Sequence, residues 1–432
     1  MLKIRELVSS DIERYLDVYL NAYPAFKTLD AECRARQRER NLRNMELSDV
    51  DYIGMFDGEE LVAAMKLVHF QMNLYGNVVP ALGLMSLAVH PLHKKKGLAL
   101  KMVQYYEARA VELKASVAPL LPFNMTFYRS MGYGLGSRRS LYHIPTANLP
   151  KGEISADLRF VSAQELDTLV ACYNEKVEST HGMIRKTGEE LGDMRADTAS
   201  IRLGAYDGQR MTGYLIYRFE DASETNFTQN RIVADELICL DAETLESFLE
   251  YLRRQADLAQ SVVLTSGCDD FYHVLADPQD LSMEYLPYGY LQVCRSFIGY
   301  MYKIVDYPEF FRVTGNRPTG AGSVTARIEY PDAFAKEERF LLLDIGGERG
   351  GWQLLACGTA GSPDDVRDGS EGPVPELTLR CRECDLNALL MNSARLMPLI
   401  DLGVVRTDNT DAARRMDMIL YYSSKPYSNT DF

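Results

Sequence analysis

The residues best placed to do chemistry lie in one stretch, Leu87-Ala-Val-His-Pro-Leu-His-Lys-Lys-Lys-Gly-Leu-Ala99. The apolar run Leu82–Val89 reads as a buried strand, and Pro91 stops it. Three lysines lead to Gly97, and from Leu98 the spacing turns helical through Met102, Tyr105, Tyr106, Arg109 and Leu113. A strand, a basic glycine turn and a helix N-terminus together make an anion cradle. Free backbone N–H groups point at the ligand, and the helix dipole favours negative charge. Gly97 and Ala99 lack bulk, so a phosphate can approach the backbone closely, and the lysines steer it in. A solvated basic helix start would show the same few residues, so the rest of the chain has to decide between them.

Tyr128 is the second candidate. It follows the apolar run Ser116–Leu121 and falls early in a short helical segment. A phenol with a reference pKa of ~10 is matched to a thiol leaving group and can serve it as a general acid. The chain has 26 tyrosines, so spacing alone reads equally as a core aromatic. Of the histidines, His90 and His93 flank Pro91 at the mouth of the lysine loop, where His93 reads as a loop residue rather than a base. His69, His143, His181 and His273 carry no motif and read as structural. Cys381-Arg-Glu-Cys384 is a single C-x-x-C inside a strand-like alternation, without the second pair or the histidines that zinc requires, so no metal is expected.

The elements that must position these residues occur twice. Ile4-Arg-Glu-Leu-Val, then Ser10-Asp-Ile-Glu13, then a helical run is matched by Leu158-Arg-Phe-Val, Ser162-Ala-Gln-Glu165 and a second helical run. Each reads as strand, capping box and helix. Asp57-Gly58 and Asp207-Gly208 mark equivalent hairpin turns. Leu82–Val89 parallels Glu236–Leu240, and the second copy continues into a helix from Leu245 to about Leu258. Where the first copy has His-Lys-Lys-Lys-Gly-Leu-Ala, the second has Asp-Ala-Glu-Thr-Leu-Glu-Ser, whose carboxylates repel phosphate. The second copy is therefore expected to pack and wall a cleft without binding an anion. Ile144–Gly152 reads as the linker between the copies. A third region opens at Tyr302, with strands over Ser323–Tyr330, Arg339–Ile345, Trp352–Cys357 and Glu376–Cys381. A surface loop over Gly358–Pro375 and helices over Asp385–Gly403 and Thr410–Leu420 complete it. The expected blocks are residues 1–148, 149–301 and 302–432.

Composition bounds the function. At roughly 100–200 residues per domain, 432 residues hold two to four domains. The net charge of −14 argues against nucleic-acid or anionic-membrane partners and suits a cationic substrate. No run of ~18 uncharged apolar residues occurs, the N-terminus has no signal-peptide core, and eight cysteines are too sparse for a disulfide scaffold. A cytoplasmic location is expected.

The loop Lys94-Lys-Lys-Gly97-Leu-Ala99 resembles the coenzyme A pyrophosphate loop of the GNAT N-acetyltransferases, Gln/Arg-x-x-Gly-x-Gly/Ala, with lysine at its first position. Asn124-Met-Thr-Phe-Tyr128-Arg-Ser-Met-Gly-Tyr-Gly134 is similar to that family's tyrosine segment. With the tandem layout, the degenerate second copy and the strand-and-helix C-terminal region, the whole chain resembles the Eis-type (enhanced intracellular survival) acetyltransferases. That resemblance implies an α/β plus α+β architecture: two GNAT folds, the second degenerate, followed by a sterol-carrier-protein-like domain. It implies an acetyl-coenzyme A dependent transferase acting on amines, aminoglycosides included, by direct attack in a ternary complex.

The same resemblance assigns roles. Backbone groups of Leu87, Ala88 and Val89 meet pantetheine and the thioester oxygen, and Lys94, Lys95, Lys96, Gly97, Leu98, Ala99 and Leu100 hold the pyrophosphate. Phe123 and Asn124 make further cofactor contacts, and Tyr128 is the general acid. The α-carboxylate of Phe432 is the general base, and Asp431 adds negative charge for the substrate. A homo-hexamer is implied. The acidic residue that the family places after its first helix has no match in Tyr23-Pro-Ala-Phe-Lys-Thr-Leu-Asp30. The opposing reading is a non-catalytic tandem-GNAT binding protein with a lipid- or partner-binding C-terminal domain. Aminoacyl transferases of the peptidoglycan-building type share the tandem layout but lack a coenzyme A loop.

Overall fold

In the computed structural model the chain forms two compact units, residues 1–136, 181–191 and 300–432 in the first, and 137–180 and 192–299 in the second. The structure describes residues 2–23, 25, 30–281, 285–286, 289–347, 350–361 and 373–430. Asp431 and Phe432 lie outside them.

In chain order the elements begin β1 (Leu2–Glu6), α1 (Ile12–Ala22), α2 (Ala31–Asn44), β2 (Val50–Asp57), β3 (Glu60–Leu74) and β4 (Asn77–Val89). Next come α3 (Leu98–Glu112), β5 (Val117–Leu120), α4 (Met125–Arg129), β6 (Gly134–Leu135), β7 (Arg138–Pro145), β8 (Asp157–Phe160), α5 (Leu166–Ser179) and α6 (Gly188–Ala196). Then follow β9 (Ile201–Asp207), β10 (Arg210–Asp221), β11 (Asn230–Cys239), α7 (Ala242–Arg253), β12 (Ser261–Ser266), β13 (Tyr285–Leu286), β14 (Tyr290–Leu291), β15 (Arg295–Ile298) and β16 (Met301–Ile304). The C-terminal region adds α8 (Tyr307–Thr314), β17 (Ser323–Pro331), β18 (Glu338–Gly346), β19 (Trp352–Thr359) and β20 (Leu377–Arg380). It ends with α9 (Glu383–Leu390), α10 (Leu396–Asp401), β21 (Arg406–Thr407) and α11 (Thr410–Ile419).

The first unit is built on a seven-stranded sheet in the order β1-β2-β3-β4-β5-β16-β6. The hairpin between β2 and β3 turns at Gly58, whose φ of +61° only glycine adopts without cost. β3 is buried along nearly its whole length because both sheet faces are covered. On one face α1 contributes Ile12, Tyr15, Leu16 and Leu20, and on the other α3 contributes Leu98, Met102, Val103, Tyr106 and Ala110. The expected capping box at Ser10–Glu13 does not form. Asp11 accepts from the Val8 N–H and pairs with Arg5 at 2.7 Å, and α1 starts at Ile12. A carboxylate with an arginine partner outcompetes a neutral serine cap.

Two strands sit in a different sheet from the one their place in the repeat suggests. β16, which follows the second copy, runs antiparallel between β5 and β6 in the first sheet. β7, placed by sequence in the first copy, pairs with β12 in the second unit's sheet, β15-β7-β12-β11-β10-β9-β8. The linker expected over Ile144–Gly152 is accordingly part of that unit, with Ile144, Thr146 and Leu149 buried. The chain leaves the first unit at Gly136 and returns to it over His181–Leu191. Sheet pairing is a backbone interaction, so an apolar strand reads the same whichever sheet takes it up.

In the second unit the capping box at Ser162 and Glu165 forms as read, with Glu165 accepting from the Ser162 N–H at 3.0 Å. The helix after β11 starts earlier than expected, at Ala242, because Asp241 caps it by accepting from the Thr244 N–H at 2.7 Å. On α7, hydrogen bonds from Arg253 and then Arg254 hold the Glu250 carboxyl down to about 2 from its ordinary 4.5. A depressed carboxyl contributes stability above pH 4.5 that is lost as pH falls toward 2. Glu250→Gln is expected to flatten acid destabilisation over that window, read as urea midpoints measured from pH 5 to pH 2.

The C-terminal region forms a five-stranded sheet, β19-β18-β17-β20-β21, with β17 and β20 parallel. The single helical run expected over Asp385–Gly403 is two helices, α9 and α10. Asn392, left-handed at φ +58°, breaks it and donates to the Tyr422 and Ser424 carbonyls. This region packs on the first sheet through Tyr75, whose hydroxyl donates to the Leu390 carbonyl, and through the buried Arg317 guanidinium, 4.7 Å from the Tyr75 ring.

Candidate active site

The site begins where β4 loses its partners. Ala64 pairs with Ala88 and Lys66 with Met85, so Met65 faces two residues, Ser86 and Leu87, and β4 carries a bulge with Ser86 at φ +54°. On its other side β4 meets β5 only at Leu84–Leu120, beyond which the parallel strands part. Tyr106 of α3 pins the root of this split, its hydroxyl 2.7 Å from the Leu82 carbonyl and 2.9 Å from that of Pro119. The backbone of β4 past Ser86 therefore carries peptide groups that no neighbouring β5 strand consumes, beside a cavity of about 200 Å³.

That cavity gathers many of the residues singled out in the sequence. Leu87, Val89, Lys94, Ala99, Phe123, Asn124 and Tyr128 all line it. Ala88 faces the core instead, as alternation along a strand requires, and Leu98 is buried under the helix start. Lys95, Lys96, Gly97 and Leu100 are exposed around the N-terminus of α3. Gly97 is the N-cap of α3 at φ +74°, and Lys95 is also left-handed at φ +62°. Glycine offers no side-chain oxygen, so the first-turn N–H groups of α3 are uncapped by any side chain, beside three lysines. The matching helix of the second unit, α7, has its N-terminus capped by the Asp241 carboxylate.

Tyr128 is the fourth residue of α4, which Asn124 caps by accepting from the Phe127 N–H at 3.0 Å. The capping oxygen is thus occupied, and Asn124 meets the cavity with the rest of its surface. Tyr128 is 6% exposed, and its ring packs edge-on against Phe127 and Tyr133. Burial pushes its phenol up to about 12, so the hydroxyl keeps its proton at neutral pH. Phe123, by contrast, is 88% exposed at the rim.

Three site residues escaped the sequence reading. Tyr23 donates to the Leu87 carbonyl at 3.0 Å, and Tyr19 hydrogen-bonds Ser86 at the bulge. With Tyr15 they form an i, i+4, i+8 stripe on α1 and its C-cap, a spacing visible in the sequence but identical to that of a core face. Ser86 itself carries no motif. Lys94 is the charged residue among the described residues lining the cavity, and no carboxylate is among them.

The tail is held by a segment from the second repeat. Residues 182–185 lie antiparallel to the end of β3, with hydrogen bonds from Gly182 to Asn73, Asn73 to Met183 and Arg185 to Gln71. Residues 427–430 then lie along that segment. Tyr427 donates to the His181 carbonyl, the Ile184 N–H donates to Ser428 Oγ, and Thr430 donates to the Ile184 carbonyl. The Tyr300 hydroxyl donates to the Thr430 carbonyl. Tyr300 adjoins Met301, which pairs with Leu120 at the end of β5, and Leu121, the residue after that strand, lines the cavity.

Residues 3–136 and 182–293 each match an acetyltransferase (GNAT) domain family. No curated protein matches the sequence. The fold is shared with solved structures over the full chain. A GCN5-related N-acetyltransferase from Anabaena variabilis superposes with a TM-score of 0.73 at 16% identity, covering 100% of both chains. One from Kribbella flavida gives 0.73 at 18%, covering 100% of this chain and 98% of its own. Eis1 from Mycobacterium abscessus gives 0.73 at 18%, covering 100% of both. Among the described residues no helix is long and apolar enough to cross a membrane.

Proposed function

The chain belongs to the GNAT acyltransferases, and we propose that its first unit transfers acetyl from acetyl-coenzyme A directly to an amine. The observation that carries this reading is that the parted β4 and β5, the uncapped N-terminus of α3 and Tyr128 all border one cavity. Acetyl-coenzyme A supplies an activated acyl group as a thioester. The α3 N-terminus and Lys94–Lys96 suit its pyrophosphate, because unpaired N–H groups and ammonium charges meet phosphate oxygens there. Backbone N–H groups over Leu87–Val89 stabilise the charge that develops on the carbonyl oxygen as the amine attacks carbon. Tyr128 gives its proton to the sulfur as the C–S bond breaks. The Phe432 carboxylate accepts the proton released by the amine, and Asp431 adds negative charge for an ammonium that the described lining does not supply. Aminoglycosides are the first amines to test. On the same family likeness the chain is read as a cytoplasmic hexamer whose C-terminal sheet is a sterol-carrier-protein-like domain.

Binding tests this directly. Titration calorimetry is expected to give one acetyl-coenzyme A per chain, since Asp241 occupies the equivalent helix start in the second unit. Ala99→Asp, which brings a carboxylate to the α3 N-terminus, is expected to weaken binding about tenfold or more by charge repulsion. Two molecules per chain, or undiminished affinity in Ala99→Asp, would contradict the assignment.

A further inference from the structure

We infer that helix α9 of the C-terminal region is the positioning element of Tyr128, with Asn387 its central residue. The inference rests on the acid role proposed for Tyr128. α4 is five residues long, and so short a helix is not held by its own hydrogen bonds. Its placement depends on what grips the turn that follows.

That grip comes from α9. Asn387 is 0% exposed, and its amide nitrogen donates to the Gly132 carbonyl at 2.9 Å. Its amide oxygen accepts from the Ile304 N–H of β16 at 3.2 Å and from the Tyr307 hydroxyl at 3.3 Å. One side chain thus ties the turn after α4 to the central strand of that end of the sheet. Arg129, the last residue of α4, pairs with Asp385 at 3.3 Å. Two glycines let α9 lie directly on the turn. A Cβ on Gly132, which is left-handed at φ +93°, would fall 2.6 Å from a Glu383 carboxylate oxygen, and one on Gly134 would fall 2.5 Å from the Ala388 nitrogen. The turn is bonded back to Tyr128 itself, whose carbonyl accepts from the N–H groups of Met131 and Tyr133. Behind it, Tyr133 packs edge-on against the Tyr128 ring, and Lys303, paired with Glu107 at 2.8 Å, closes the cluster. Asn387 is too far along this chain of contacts to touch a reacting atom. It acts by fixing where the phenol points.

A double-mutant cycle tests this, since residues that act as a unit are non-additive. Asn387→Ala is expected to lower kcat about tenfold to a hundredfold, the scale of a misplaced catalytic group, with KM for acetyl-coenzyme A within about twofold. Added to Tyr128→Phe, the same change is expected to cost less than about twofold, because no acid remains to be misplaced. Arg129→Met, at a partly exposed position, is expected to show the same pattern with a smaller loss and serves if Asn387→Ala does not fold. Equal losses in both backgrounds, or no loss in kcat, would overturn the inference while leaving the acid role intact. Full turnover by Tyr128→Phe alone would overturn the acid role and this inference with it.

Discussion

Tyr128→Phe is expected to lower kcat about 10²–10⁴-fold, the range that a positioned general acid supplies. The change removes one hydroxyl from a ring that is otherwise packed among Phe127 and Tyr133, so folding and coenzyme affinity should be kept. The pH dependence follows from burial. With its phenol pushed up to about 12, Tyr128 holds its proton throughout the working range. Turnover should therefore show no alkaline fall from this group between pH 7 and pH 10, because deprotonation of the acid begins only as pH approaches 12. Steady-state kinetics with calorimetric binding of coenzyme A separates the two effects. A variant with normal kcat, or one that fails to bind coenzyme A, would refute the acid role.

The second large effect is expected at the tail. Residues 427–430 are fixed against residues 181–184, and Thr430 is held by Tyr300 beside the end of β5. The base role proposed for the Phe432 carboxylate requires the two residues that follow Thr430, which span at most about 7 Å, to carry it to the site. Appending one glycine after Phe432 displaces that carboxylate by up to about 3.5 Å and is expected to reduce turnover by about 10² or more. The contacts of Ser428 and Thr430 are untouched, so thermal stability should not change. Unaltered turnover in the extended protein would end the base role.

The geometry around the start of α3 was legible because each residue there owes its place to a local cause. Gly97 starts α3 at a positive φ, Lys94–Lys96 precede it, and Tyr128 follows a strand at fixed spacing. The duplication was legible for the same reason, since matching turns at Gly58 and Gly208 recur at φ +61°. What was illegible depends on pairing between distant segments. Nothing in the pattern of Met301–Ile304 says that it lies between β5 and β6, and nothing in Arg138–Pro145 excludes the first sheet. The run His181–Leu191 carries no strand alternation, yet it bridges β3 and the tail. Asn387 reads as one more polar residue of a short helix, and its partners, Gly132 on one side and Ile304 and Tyr307 on the other, lie far from it in the sequence.

Thiol release from acetyl-coenzyme A across an amine panel that includes neomycin-class aminoglycosides reads out whether the first unit's cleft acetylates amines. Amine-dependent release with matching acetylated product is expected, and it is expected to be lost in Tyr128→Phe. Absence of amine-dependent release across the panel, with no binding of acetyl-coenzyme A by calorimetry, would contradict it and favour a non-catalytic binding protein.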